Sequence, residues 1–304
     1  MKREFIICCL FLMLTVRLSA QDWTWWANNV KYDNKTYWTE YIIFSPKYMG
    51  PNALPVPNFS DGLIENETYF MISGSAHLSK GDNTYNPNIY INYNLIDNLI
   101  SFDFYYLPIE YFIMSHEIKT ERKTFYHYYY DKTARGDMYL NTNIQLIRKQ
   151  SVDLKVRIGY KFPTSNKVGM ARFTDSPGYY FDLNFGIPII NLKDSKVKLT
   201  GMVGFYAWQT NSDIQYQNDA LLYGLGVSLK QNDVKLETGV RGYWGYMNNG
   251  DKPMVWKIQG SKRINNVGFS LGYQLGILDT KYHSFEVGAA YYFNKPKVKQ
   301  IDKL

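Results

Sequence analysis

Charged side chains at alternate positions of short, otherwise apolar runs are the chemistry-bearing feature of this chain. Asp153, Lys155, Arg157 and Lys161 interleave with Leu154, Val156, Ile158, Tyr160 and Phe162. The same spacing sets Lys196, Lys198, Lys235, Glu237, Arg241, Lys257, Asp103, Asp182 and Glu286 among apolar neighbours. Residues two apart on an extended chain share a face. Eight cations and five carboxylates are therefore expected on one side of a sheet. Such a set binds or steers small ions, and an excess of one sign selects the other in a pore. It does no covalent chemistry by itself.

Groups that could do covalent chemistry are few. The histidines are His77, His116, His127 and His283, and no two have the spacing of a helical or hairpin metal pair. Both cysteines, Cys8 and Cys9, lie in the first apolar run. The chain beyond it holds neither disulfide nor thiolate metal site, and no metal or cofactor is expected. His77-Leu78-Ser79 sets a base near a hydroxyl, with Asn86 or Asn88 on the next strand as a third polar group, as nucleophilic catalysis requires. The spacing is similar to the His-x-Ser of the outer-membrane phospholipase family, which also uses twelve strands and would imply a hydrolase. This sequence departs from that family. Lys80-Gly81 replaces its Asn-Gly continuation, and the pair shares a face with Ser73 and Ser75 rather than with Ile72 and Leu78. No enzyme is expected.

The elements that must position the charges are strands. Period-2 alternation recurs near 69–79, 86–95, 99–112, 137–147, 152–162, 178–189, 195–208, 219–230, 233–246, 252–262, 265–277 and 283–293. Runs of nine or more alternating residues suit a tilted membrane strand. Short connections (96–98, 150–153, 192–195, 231–233, 265–266) alternate with long ones (113–136, 163–177, and 209–218 of middling length), as in outer-membrane barrels. The expectation is an all-β, transmembrane, antiparallel up-and-down β-barrel of twelve strands over 69–293. Fourteen strands result if 38–48 pairs as well. A secreted β-sandwich is the competing architecture. On this reading Val156 faces lipid and Arg157 the lumen, so Val156→Arg should impair assembly far more than Arg157→Ala.

Residues 1–20 read as a signal peptide: Lys2 and Arg3, then an apolar core too short to span a bilayer, then Leu18-Ser19-Ala20. Beyond it no run of 18 apolar residues exists. The cell outer membrane is the expected location, with outer-membrane lipid, the barrel-assembly machinery and a small solute as partners. Residues 21–68 differ from the rest. Trp23, Trp25 and Trp26 open them, and prolines 46, 51, 55 and 57 break any central strand there. This stretch caps the barrel from the periplasm or plugs its lumen. Residues 294–304 form a basic tail. The net charge of +7 is spread along the chain without a basic helix or basic–aromatic platform, so no nucleic-acid partner is expected.

The stretches GDMYLNTNIQL (136–146), ARFTDSPGYYFD (171–182), GPNALP (50–55) and LPIEYF (107–112) resemble a family of functionally uncharacterised outer-membrane barrels of Bacteroidota type, porin- or transporter-like. The resemblance spans most of the chain and implies fold and location, but no catalytic residue. A looser likeness is to barrels labelled as aromatic-degradation or porin-like. In the external segment 115–136, Tyr126, Tyr128 and Tyr130 either stack on a ligand or form an interfacial girdle. The expected function is a passive channel or binding protein for a small anionic or aromatic solute. The alternative is a closed barrel that binds a partner through its loops.

Overall fold

A computed structural model describes residues 23–125 and 132–293. A short helix, α1 (Thr24–Val30), precedes the strands. These are β1 (Tyr69–Ser79), β2 (Asp82–Ile96), β3 (Ile100–Tyr106), β4 (Glu110–Met114), β5 (Thr133–Ala134), β6 (Met138–Arg148), β7 (Asp153–Phe162), β8 (Gly178–Asn191), β9 (Ser195–Gln209), β10 (Gln217–Gln231), β11 (Val234–Gly245), β12 (Met254–Ile264), β13 (Val267–Leu278) and β14 (His283–Tyr292); helix α2 (His116–Glu121) follows β4. No described helix is long and apolar enough to cross a membrane.

All pairings are antiparallel, and β1 pairs with both β2 and β14, so the sheet closes on itself. The wall has twelve strands. β4 continues β3 along β2 with the register shifted by one residue, Tyr106 lying opposite Ile89 and Tyr111 opposite Tyr85. Between them Pro108 supplies no N–H and interrupts the ladder. In the same way β5 precedes β6 along the β3–β4 line. The fourteen-strand option fails because residues 38–41 form a 3-10 turn and 42–48 join no strand.

Alternation sorts the two faces. Ile72, Tyr93, Leu140, Ile158, Phe181, Val203, Leu225 and Leu271 point outward and are exposed, while Asn92, Asp103, Asn141, Lys155 and Arg157 point inward and are buried. An apolar belt on a closed sheet is what a hydrocarbon environment demands, since no backbone group is left unpaired. Five short turns gather at one end, at 97–99, 149–152, 192–194, 232–233 and 265–266. Asn98, Asn232 and Asn265 turn there with φ of 59°, 50° and 55°, a left-handed region that asparagine tolerates. Longer connections gather at the other end. Phe293 N–H donates to Thr68 O at 2.9 Å, so β1 begins where β14 ends, at the short-turn end.

The N-terminal segment runs through the bore from the long-loop end to the short-turn end. Near the loops, the Trp26 indole N–H donates to Lys123 O at 3.1 Å and the Asn29 amide to Thr120 O at 3.0 Å. Deeper, Trp208 Nε1–H donates to Phe44 O at 3.0 Å and the Tyr243 hydroxyl to Leu54 O at 2.9 Å. Further along, Ser60 N–H donates to Asn184 Oδ1 at 2.8 Å and Ile64 N–H to Gln145 Oε1 at 2.9 Å. At the short turns Asn98 N–H donates to Asn66 Oδ1 at 2.8 Å. Ile42, Phe44, Met49 and Leu54 pack with Phe112, Phe173, Tyr206, Trp208, Leu222 and Tyr243 in one apolar core. The described part of the segment is thus an internal filling, not a cap over the short turns.

Candidate solute-binding cavity

The bore has two zones. Towards the long loops it is solid. Beside the apolar core lies a buried ion network in which Arg172 meets Asp82 at 2.8 Å and Glu110 at 2.8 Å, and Arg122 meets Asp82 at 2.7 Å. The Tyr282 hydroxyl donates to Asp82 at 2.6 Å, and Asn52 of the N-terminal segment donates to Glu110 at 2.7 Å. Pairing and hydrogen bonds of this kind offset the cost of burying these charges. Towards the short turns the bore opens into a cavity of about 1330 Å³, lined by residues 51–69 and the inner strand faces. Lys149, Asn191, Asn232 and Lys262 line it near the short turns, and Tyr105, Tyr139, Tyr180 and Tyr206 line it deeper in.

Eleven of the thirteen charges expected in the lumen line this cavity: Lys155, Arg157, Lys196, Lys198, Lys235, Arg241, Lys257, Asp103, Asp153, Glu237 and Glu286. Two do not. Lys161 points inward but is enclosed nearer the loops, 2.8 Å from Asp137 and 2.7 Å from the Thr174 hydroxyl, where it anchors the 163–177 loop. Asp182 sits behind Arg157, 2.8 Å from its Nη2 and with no exposed side-chain surface. Period-2 reading gives the face a residue occupies, not its depth or its partner.

Most of the charges are paired. Lys198 lies 2.8 Å from Asp153, Lys235 3.0 Å from Glu237, and Lys257 3.7 Å from Glu286. Asp103 accepts from the Asn143 amide at 2.7 Å. Lys155 and Arg241 differ. Both are buried, both line the cavity, and neither has a carboxylate at ion-pair distance among the described residues. Arg241 Nη2 donates to Gln274 Oε1 at 2.8 Å, and its Nε–H has no partner among the described residues.

The sequence reading missed what the N-terminal segment brings. Between residues 48 and 68 it carries Asp61, Glu65 and Glu67 and no basic residue, and all three line the cavity. The expected cationic excess is thereby offset from within. An acidic run beside a cation-rich lumen was a usable signal, through electroneutrality. The segment is also seated by shape. Phe59 fills a hollow left by Gly224, Gly226 and Gly239 on the inner faces of β10 and β11, where a Cβ would lie 2.9, 2.8 and 2.7 Å from its ring.

The serine–histidine arrangement does not form as spaced. His77 Nδ1 lies 2.7 Å from Ser284 Oγ, across the β1–β14 seam, while the Ser79 hydroxyl donates to Asp82 O at 2.8 Å. His77 Nε2 has no hydrogen-bond partner at bonding geometry among the described residues. Tyr126, Tyr128, Tyr130 and His127 lie outside the described residues.

No family model matches the sequence, and no curated protein matches it significantly. Solved structures do match in shape. An outer membrane channel from Pseudomonas putida F1 superposes with a TM-score of 0.52 at 10% identity, over 79% of this chain and 100% of that one. The NanC porin gives a TM-score of 0.49 at 9% identity, over 74% and 100%. The KdgM porin in complex with disordered oligogalacturonate gives 0.45 at 7% identity, over 74% and 99%. Closed topology, apolar belt and the first of these likenesses define the fold as a closed, twelve-stranded, antiparallel up-and-down β-barrel, the architecture seen in that outer membrane channel.

Proposed function

We propose that this protein is an outer-membrane barrel that binds a small anionic solute in its lumen and passes it when the N-terminal segment yields. Lys155 and Arg241 carry the reading: two buried cations, facing one cavity, without carboxylate partners. In a site of low polarity such charges attract an anion far more strongly than in water. Lys149, Lys196 and Lys262 near the mouth raise the local anion concentration there. Short turns belong to the periplasmic side of outer-membrane barrels, so the cavity faces the periplasm, with export and barrel-assembly machinery as the route to that membrane. The motifs at 50–55, 107–112, 136–146 and 171–182 support the Bacteroidota-type relationship.

The test is conductance of the purified protein in a planar bilayer under a salt gradient. Anion-selective openings are expected, with selectivity reduced in Lys155→Gln/Arg241→Gln. No conductance, from the full chain or from one lacking residues 21–68, rejects the channel. A second reading, a closed barrel that binds a partner through its loops, is favoured by one observation, the solid core at the long-loop end. It predicts that no variant conducts.

A further inference from the structure

We propose that Lys155, Lys198 and Lys235 form a site for a small polycarboxylate, and that the chain's own Asp61 occupies this site as an internal stand-in for that ligand. The proposal deepens the reading of the cavity as an anion site and rests on it. Asp61, Glu65 and Glu67 place three carboxylates within seven residues of chain inside the barrel. Asp61 Oδ2 lies 3.5 Å from Lys198 Nζ, and Glu67 pairs with Arg263. Burial alone would raise the Asp61 carboxyl, yet Lys235, Lys198 and Lys155 together hold it below the usual carboxylate range.

Two features make the stand-in replaceable. Lys198 is 2.8 Å from Asp153 but 3.5 Å from Asp61, so its shorter bond survives when Asp61 leaves. Lys155 has no carboxylate at ion-pair distance among the described residues. An incoming molecule with two or more carboxylates replaces Asp61 on Lys198 and also meets Lys155, which then gains a partner. A monoanion offers only the exchange. Around Asp61 the segment is held by Phe59 in its hollow, by Lys198 Nζ on the Asp61 carbonyl at 3.5 Å, and by three amide bonds: Ser60 N–H to Asn184, Ile64 N–H to Gln145, and the Gln145 amide to Gly62 O at 2.7 Å. The apolar part at 42–54 stays in its core. Exchange therefore frees the stretch around Asp61 without emptying the barrel.

The probe is citrate, and the readout is exposure of position 60. The only cysteines are Cys8 and Cys9, so Ser60→Cys in the full-length purified protein carries a single thiol once the leader is removed. The Ser60 hydroxyl is buried and without a partner among the described residues, so sulfur fits there and is shielded. Maleimide alkylation at pH 7 is followed in citrate and in sodium chloride of matched ionic strength. Citrate should raise the rate by about tenfold, the shift a ligand produces at ten times its dissociation constant. Lys155→Gln/Lys235→Gln should abolish the difference. Asp61→Asn, which removes the stand-in from the other side, should raise the basal rate and leave citrate little to add. Equal rates in citrate and chloride mean charge screening only and overturn the proposal. Conductance with equal rates sinks this inference and leaves the channel standing. Citrate-specific exposure without conductance does the reverse.

Discussion

Arg157→Ala should be among the most damaging single changes in the wall. Arg157 donates to one oxygen of Asp182 from Nε at 3.0 Å and from Nη2 at 2.8 Å, and its guanidinium lies 5.0 Å from the centre of the Tyr180 ring. The Asp182 side chain has no exposed surface, and its other oxygen accepts from the Asn184 amide. Truncating the arginine leaves a carboxylate enclosed with no cation, a change that costs about 3–5 kcal/mol. Arg157→Ala/Asp182→Asn removes the stranded charge and should recover part of the loss, with a coupling of about 2 kcal/mol. The assay is urea unfolding of barrels folded into lipid vesicles, followed by tryptophan fluorescence. Arg157→Ala within about 1 kcal/mol of the parent, or a double variant no better than the single, refutes the argument. The pair also revises the sequence expectation for this strand. Val156→Arg costs about 2–4 kcal/mol at mid-depth, so the two variants fall in the same range and Arg157→Ala is not the mild one.

Other outcomes follow from the same contacts. Val156 is on the outer side but covered by its neighbours, so Val156→Lys should cost as much as Val156→Arg in the vesicle assay and Val156→Ala less; equal stability of all three would place Val156 off the lipid face. Gly224→Val puts a Cβ 2.9 Å from the Phe59 ring and should expel Phe59 from its hollow. Limited proteolysis should then cut near residues 58–60 while the barrel stays resistant, and an unchanged digest would count against the seating. Acid should loosen the same stretch through Asp61. Its carboxyl is held below the usual value, so the retention it contributes is complete above the ordinary carboxylate pKa and is lost as pH falls through the depressed one. A spin label at Ser60→Cys should be immobile at pH 7 and gain mobility only below about pH 4. In Asp61→Asn mobility should not change across that window.

Strands were legible because alternation is local. The first was expected at 69–79 and is Tyr69–Ser79; the expected 195–208 is Ser195–Gln209. The interruption at Pro108 lies inside the run expected at 99–112, and a proline there forecasts a missing donor. Inward and outward faces followed from the same period. What did not follow was the identity of partners. Lys161 and Arg157 share a strand face, yet one holds Asp137 and the other Asp182, and only register across neighbouring strands decides this. The path of the N-terminal segment was out of reach for a related reason. Residues 42–68 have no period, and their seating depends on Gly224, Gly226 and Gly239, about 170 positions away in the chain, a long-range match that no local pattern encodes.

Closure of the cylinder carries a topological demand. The ladder between β1 and β14 is the last edge to be zipped once the chain has been made in order, and residue 68 leads straight into β1. The stretch from Trp26 to Asn66 is pinned at opposite mouths of the bore. Threading it afterwards would mean pulling a bulky aromatic end through a filled interior. The simplest assembly order lays the segment across the open sheet first and lets the seam shut around it. Its apolar residues at 42–54 then lie where the wall must curl around them.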